Sequence, residues 1–224
     1  MKFHSNIVEK YLNRNLIEEE KAERQSRELF QIIMFELGFP PSDTLFPAEI
    51  KYILDLYSSY NGSNNEQLKK EIISFLIHCY KEKDLSDLLE GWGNQPVCHS
   101  RIHIMKEIIK GHSLGFYNLT VPTILSQIEG VIATGFNHKG RMTLAHQKQY
   151  ISELLSATDS GSFDKTINAY FLQTILVNFE HGSELKSDLS RHAILHGADI
   201  NFGTHINSLK CILIFDYLLY SIKK

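Results

Sequence analysis

The sequence lacks the features that mark several large classes of protein. Its most apolar stretch, CILIFDYLLYSI at 211–222, has about half of the roughly 20 residues that a membrane-spanning helix needs, and it contains Asp216. The opening segment, MKFHSNIVEK, has no apolar core of a secretory signal. Cys79, Cys98 and Cys211 are far apart and odd in number, which favours reduced thiols over a disulfide framework. We therefore expect a cytoplasmic protein that is not bound to a membrane.

The net charge and the absence of certain sequence motifs argue against further classes of protein. The 23 Lys and Arg residues against 26 Asp and Glu residues give a formal net charge of −3, which argues against adhesion to nucleic acid through bulk charge. A basic surface confined to one groove is still compatible with this balance. The sequence contains no G-x-S-x-G nucleophile elbow, phosphate-binding loop or dinucleotide-binding glycine motif, so a serine hydrolase, a kinase or a dehydrogenase has no support.

Helical spacing of apolar residues runs through the chain, whereas the alternating β-branched pattern of strands is absent. For example, Ile50, Ile53, Leu54 and Tyr57 recur at helical intervals after Pro47, a residue type that favours the first turn of a helix. The predicted helices cover about 3–37, 65–80, 85–89, 121–136, 141–156, 163–180 and 184–197, with others beginning near Pro47, Cys98 and Ile206. Joined by short connections, they predict an all-α fold, a multi-helix bundle.

The segment GWGNQP at 91–96 is the best candidate for a boundary between two parts of the chain. It combines glycine and proline, both of which interrupt helices. We therefore predict an N-terminal helical region over 1–95, whose role the sequence does not indicate, and a C-terminal helical domain over 96–224.

Eleven histidines raise the hypothesis of a metal site. His192 and His196 lie four residues apart, so a helix would place both imidazoles on one face, as a zinc pair requires. The zinc-protease motif has glutamate directly after the first histidine, where this chain has Ala193, and the sequence nominates no third ligand. His99 and His103 share the spacing but lie on the polar side of their helix, which is typical of a solvated face. A metal-dependent hydrolase that uses His192 and His196 is therefore one alternative.

Two acidic residues lie in apolar helical segments. Glu129 is surrounded in the sequence by isoleucines and leucine over 124–132, and Asp216 lies in the apolar C-terminal helix. A buried carboxylate needs a partner, or its pKa rises until it is neutral. Arg191 is a candidate partner for either acid, because guanidinium forms paired hydrogen bonds with carboxylates. The alternative is that both acids face solvent at helix edges.

The stretch from Gly130 to Ser152 contains no Asp or Glu. Lys139, Arg141 and Lys148 lie within it, with two histidines between them. Such a basic segment can contact a phosphate backbone, so these three residues are candidates for substrate binding. The alternative is an ordinary solvated surface.

The segment SRHAILHG at 190–197 carries the most specific pattern. Arg191 is followed by the polar His192, and His196 lies five positions after the arginine, directly before Gly197. At about 100° per residue, Arg191 and His196 would lie roughly 140° apart around a helix, so they do not share one face. A long arginine side chain can still reach the same groove, especially if a second copy of the helix faces it. This arrangement favours a homodimer with a composite site.

The motif RHAILH resembles the signature of the HEPN superfamily (higher eukaryotes and prokaryotes nucleotide-binding), which is Arg, four to six residues, then His, in small helical proteins. His192 stands where asparagine is more usual in that family. The upstream segment at 111–132 is similar to the corresponding helices of uncharacterised bacterial proteins with a comparable motif. The resemblance covers about 111–222, and it implies that the predicted domain over 96–224 is HEPN-like.

The resemblance implies a metal-independent endoribonuclease of the toxin–antitoxin or phage-defence type, with no cofactor. His196 would act in proton transfer at the ribose 2′-hydroxyl, Arg191 would stabilise charge on the scissile phosphate, and His192 would orient the site. Glu129 and Asp216 would support them. The products would be a 2′,3′-cyclic phosphate and a 5′-hydroxyl. The expected partners are RNA, a second copy of the chain, and an antitoxin or regulatory protein. The alternative within the family is a non-catalytic regulatory module that binds a nucleotide or a protein.

Overall fold

The computed structural model of the protein describes residues 3–61, 66–156 and 162–222, with side chains described from residue 18 onward. These residues form ten α-helices and no strands, which confirms the predicted all-α, multi-helix fold. The helices are α1 (Phe3–Glu36), α2 (Pro47–Ser59), α3 (Glu66–Cys79), α4 (Glu82–Gly93), α5 (Ile102–Ser113), α6 (Tyr117–Gly135), α7 (Leu144–Leu154), α8 (Asp164–Tyr170), α9 (Arg191–Leu195) and α10 (His205–Ser221). Residue 65, the predicted start of the third helix, lies outside the described residues.

Local signals set the ends of the first two helices as the sequence indicated. Gly38 has a φ of 80° just after α1, a backbone conformation that glycine adopts without a steric penalty. The N–H of Phe39 then donates to the carbonyl of Met34 at 2.8 Å, which closes the end of the helix. Pro47 is the first residue of α2, and the Glu49 carboxylate accepts from the N–H of Phe46 at 2.8 Å. These contacts satisfy backbone groups that a helix end leaves unpaired.

Helix α10 is the centre of the core. Thirteen of its 17 residues are buried, and it packs against α3, α4, α5 and α6. The sequence-based interpretation of this segment as a buried core helix is confirmed. The described part of the chain contains no helix that is both long enough and apolar enough to cross a membrane. Cys98 and Cys211 are buried in the core, and Cys79, Cys98 and Cys211 all have free thiols.

The turn at the predicted boundary, 91–96, is present, and the core continues across it. Helix α4 ends at Gly93, and a short 3-10 helix follows over Pro96–Arg101. Trp92 is fully buried, with its ring edge-on to Phe215 of α10 at 5.0 Å between centroids and 73° between planes. Side chains from both sides of the turn therefore belong to one hydrophobic core.

Several helix boundaries differ from the prediction; for example, α4 covers Glu82–Gly93, where the sequence predicted a helix over only 85–89. Helix α6 begins at Tyr117, so Pro122 lies inside the helix and not at its start. The first turn forms before the proline because the Phe116 carbonyl accepts hydrogen bonds from the N–H groups of Leu119 and Thr120. The helix predicted over 163–180 is α8 followed by a π-helical turn that ends at Ile175. The helix predicted over 184–197 is reduced to the five residues of α9.

The buried carboxyl of Asp216 makes the stability of this core depend on pH. Trp92 Nε1 donates to Asp216 Oδ1 at 2.7 Å, and burial raises the pKa of Asp216 to about 6. Between about pH 4 and pH 6 the folded state therefore binds more protons at this carboxyl than the unfolded state does, so this contribution to stability falls as pH rises through that window. The total change is about 3 kcal/mol. Burial lowers the pKa of His112 to about 4, so this histidine contributes to the pH dependence of stability with the opposite sign.

We therefore expect Asp216→Asn to gain stability relative to the parent protein as pH rises from 4 to 7. Asparagine keeps an oxygen for the Trp92 indole but cannot ionise, so the variant lacks the loss of stability that the parent protein undergoes between about pH 4 and pH 6. The measurement is the free energy of unfolding by urea at each pH. A difference between the two proteins that stays constant from pH 4 to pH 7 would show that Asp216 does not titrate in this window.

Candidate functional site

Helix α9 presents two histidines side by side. The hydroxyl of Ser190 accepts from the N–H of Ala193 at 3.3 Å and donates to the carbonyl of Val177 at 2.9 Å, which fixes the start of the helix. The helix ends at Leu195, and Gly197 reverses the chain with a φ of 73°. The rings of His192 and His196 are nearly parallel, at 4° between planes and 6.1 Å between centroids. Their spacing of four residues thus places both imidazoles on one side, as the sequence indicated.

Arg191 connects α9 to two other helices. Its Nη2 forms an ion pair with Glu129 Oε2 of α6, and Gln147 Nε2 of α7 donates to the same carboxylate oxygen at 3.0 Å. The side chains of Arg191 and Glu129 are 16% and 26% exposed, so the pair is largely shielded from water. Arg191 Nε is buried and has no hydrogen-bond partner among the described residues. The guanidinium is therefore held in one orientation by Glu129, which is one of its two predicted partners.

Asp216, the other predicted partner, lies elsewhere. Its carboxyl is in the core beside Trp92, and its charge also acts on the buried hydroxyl of Tyr80. It takes no part in the Arg191 ion pair, so the structure does not place it with the supporting residues of the site. Glu129 and Asp216 both lie in apolar helices, and the packing of α6 against α9 determines that Glu129 forms the ion pair with Arg191.

His192 and His196 line a pocket of about 330 Å³, together with Asn178, Phe179 and His181. The Phe179 ring lies next to two of the imidazoles. It is 5.0 Å from the ring of His181 at 82° and 6.0 Å from the ring of His196 at 28°. Four rings thus follow one another along the pocket, from His181 through Phe179 and His196 to His192.

Sequence reasoning missed Asn178, Phe179 and His181. They lie in the irregular segment after the π-helical turn, where no helical spacing relates them to the motif. The segment NFEHGSE at 178–184 does combine an aromatic residue, a histidine and a glycine in an otherwise polar context, and this is the signal that could have nominated it.

The charges around His192 favour its neutral form. Burial lowers its pKa, and electrostatic interactions with Arg191 and His196 act in the same direction. The Glu129 carboxylate opposes this effect, and Lys148 adds to it. His192 Nε2 is buried and has no hydrogen-bond partner among the described residues. At neutral pH this ring is therefore an uncharged imidazole held beside a cation.

The three basic residues predicted to bind substrate divide into two groups. Lys148 of α7 is half-buried and does not line the pocket, but its charge contributes to lowering the pKa of His192. Lys139 and Arg141 are exposed on the connection between α6 and α7, outside the pocket itself. His99 precedes α5 and His103 lies on it. Both are exposed, as their predicted position on the polar side of the helix indicated.

No family description, curated protein or solved structure matches this chain. Within the described ranges, no group of three or more His, Cys, Asp or Glu side chains is placed to hold a metal ion. The imidazoles that line the pocket can transfer protons, and Arg191 and Lys148, whose charges act on His192, can bind an anion.

Proposed function

We propose that the protein is a metal-independent endoribonuclease of the HEPN type that acts at the His192–His196 pocket. The observation that supports this most strongly is that three imidazoles line one open pocket, while Arg191, directly before His192 in the chain, is held by an ion pair with Glu129. Cleavage of RNA through its own 2′-hydroxyl requires groups that remove one proton, donate another and stabilise negative charge on the phosphate. The imidazoles at this pocket can supply the first two functions, and Arg191 beside His192 is proposed to supply the third.

In the proposed reaction, the ribose 2′-oxygen attacks the adjacent phosphorus while its proton passes to His196. The bond from phosphorus to the 5′-oxygen breaks, and that oxygen takes a proton from the imidazolium of His181. The products are a 2′,3′-cyclic phosphate and a 5′-hydroxyl, so atoms and charge balance without another reactant. Both His181 and His196 are exposed, which allows proton exchange with water after each turnover.

Arg191 is proposed to stabilise the negative charge of the phosphate in the transition state. A guanidinium has five N–H donors, so Arg191 can keep its ion pair with Glu129 while other N–H groups face a phosphate oxygen. Glu129 and Gln147 then act as positioning residues, because they hold the guanidinium in place. His192, neutral at neutral pH, orients the neighbouring His196 ring.

The proposed partners are RNA and a second copy of the chain. Lys148 is proposed to contact a phosphate of the RNA near the pocket, and Lys139 and Arg141 to contact the phosphate backbone further along the strand. Leu195, within the motif, and Ile200, shortly after it, are exposed apolar residues, 39% and 79% accessible. Their burial between two copies would bring two α9 helices together, as the proposed homodimer requires. In a toxin–antitoxin or phage-defence setting, an antitoxin or regulatory protein would cover the same face.

A second candidate function is a non-catalytic HEPN-like module that binds a nucleotide or a protein. The observation that favours it is the ion pair between Arg191 and Glu129, which already gives the guanidinium a structural partner. Such a module would bind its ligand at the pocket without turnover.

The direct test is the chemistry of the products. We expect purified protein treated with EDTA to cleave RNA into fragments that end in a 2′,3′-cyclic phosphate and begin with a 5′-hydroxyl. The same sequence with a 2′-O-methyl group on every ribose should stay intact, because the attacking hydroxyl is blocked. End-group analysis by mass spectrometry gives the result. Binding of RNA with no cleavage, in the presence or absence of divalent cations, would select the non-catalytic module instead.

A further inference from the structure

Phe179 is the one aromatic hydrocarbon ring at a pocket otherwise lined by histidines and an asparagine. It is only partly buried, although a phenylalanine gains stability from burial and has no polar group that needs water. Its ring is nearly parallel to that of His196, but the 6.0 Å between centroids exceeds the spacing of fully overlapping rings, so the two are offset. Part of the Phe179 ring therefore stays open to the pocket.

The neighbours of Phe179 hold its ring in position. His181 lies at 5.0 Å in an edge-to-face arrangement, and His196 lies on the other side of Phe179 in the row of rings. Asn178 precedes it at the same pocket and is exposed, with an amide that can both donate and accept a hydrogen bond. An oriented aromatic surface next to an amide is the combination that binds a nucleobase, which stacks on the ring and presents its edge to polar groups.

We propose that Phe179 is the stacking platform for one unpaired base of the bound RNA, next to the phosphate that is cut. The inference rests on the proposed function for the identity of the ligand, and it adds a binding residue to the site. A base stacked on Phe179 places its own ribose and phosphate beside His196, since the two rings are adjacent. A base held in a duplex is stacked on its neighbours and cannot reach the ring. Phe179 thus selects unpaired nucleotides and Asn178 contacts the base edge.

The test uses binding without cleavage. A fluorescein-labelled RNA decamer with a 2′-O-methyl group on every ribose serves as the probe, and its Kd is measured by fluorescence anisotropy. Phe179→Leu should weaken binding about 5- to 150-fold, the range expected for the loss of one stacked base. Phe179→Trp, which keeps an aromatic face, should bind within a few-fold of the parent protein. Phe46→Leu is the matched control, because Phe46 is 71% exposed and precedes α2, far along the chain from the pocket.

A second readout separates stacking from simple packing. The decamer is remade with the fluorescent base 2-aminopurine at one position at a time, because stacking on an aromatic ring quenches its emission. We expect quenching at one position in the parent protein and in Phe179→Trp, and none at that position in Phe179→Leu. Urea denaturation of each variant shows whether the fold is retained.

The outcomes distinguish this inference from the proposed function. If Phe179→Leu binds the decamer as tightly as the parent, and the parent cleaves unmodified RNA in a His196-dependent way, the stacking role is overturned and the nuclease stands. If binding and quenching depend on Phe179 but no RNA is cleaved, the stacking role is supported and the nuclease fails. If the parent protein binds no RNA at all, both are overturned.

Discussion

Replacing His196 with alanine is expected to slow RNA cleavage by about 10²- to 10⁴-fold, the usual contribution of a residue that transfers a proton in the transition state. The side chain of His196 is exposed and follows the last residue of α9, so its removal leaves the core intact. The measurement is the single-turnover rate on a labelled RNA, with helical circular dichroism as the check on folding. Both are taken with EDTA present.

The control for this substitution is His103→Ala. His103 is an exposed histidine on α5, outside the pocket, and its loss should leave the rate unchanged. His181→Ala should also slow cleavage, because the leaving oxygen would lose its proton donor. A His196→Ala protein that cuts RNA at the parental rate would remove His196 from the mechanism and leave the proposed function without its base.

The second large effect is expected from Arg191→Ala, which should lower the cleavage rate by about 10²- to 10³-fold, as the loss of a donor to transition-state charge does. The same change leaves the half-buried Glu129 carboxylate without its cation, so the free energy of unfolding should fall by about 1–3 kcal/mol. Arg191→Lys keeps the charge but not the planar set of donors, and should recover only part of both losses.

Glu129→Ala is the matched variant that separates catalysis from structure. It removes the same ion pair from the other side, so its effect on stability should be similar to that of Arg191→Ala. If Arg191 acts on the phosphate, Glu129→Ala should retain much more activity, because the guanidinium is still present. Equal losses of activity in the two variants at equal stability would assign Arg191 a structural role and favour the non-catalytic module.

Mixing the two inactive variants tests the proposed homodimer. If each site combines Arg191 of one copy with His196 of the other, a mixed dimer of Arg191→Ala and His196→Ala contains one complete site. The mixture should then recover a measurable part of the parental activity. If both residues act within one copy, every site in the mixture lacks one of them, and no activity returns.

The fold was predictable where short-range signals dominate. Gly38 and Pro47 set helix ends through their own backbone preferences, and the apolar composition of 211–222 identified a core helix. Helix α9 was not predictable in length. Its start depends on the hydroxyl of Ser190, which contacts Val177 thirteen residues earlier, and such a contact exists only once the chain has folded.

The candidate site was predictable in part for the same reason. The side-by-side placement of His192 and His196 followed from helical geometry, because they lie four residues apart in the sequence. The apolar surroundings of Glu129 suggested a buried carboxylate, but the choice between it and Asp216 depends on which helix packs against α9. Phe179 and His181 reach the pocket through an irregular segment, whose course no periodicity encodes.

The contact between Trp92 and Asp216 has a practical consequence for anyone who wishes to isolate the region that carries the family resemblance. A fragment that starts at residue 96 would contain the acid but not the indole that donates to it, and the place of that large ring against Phe215 would be filled by water. A fragment for expression, crystallisation or transfer to another protein must therefore include more than the motif-bearing segment, because the helices before residue 95 contribute to the same core.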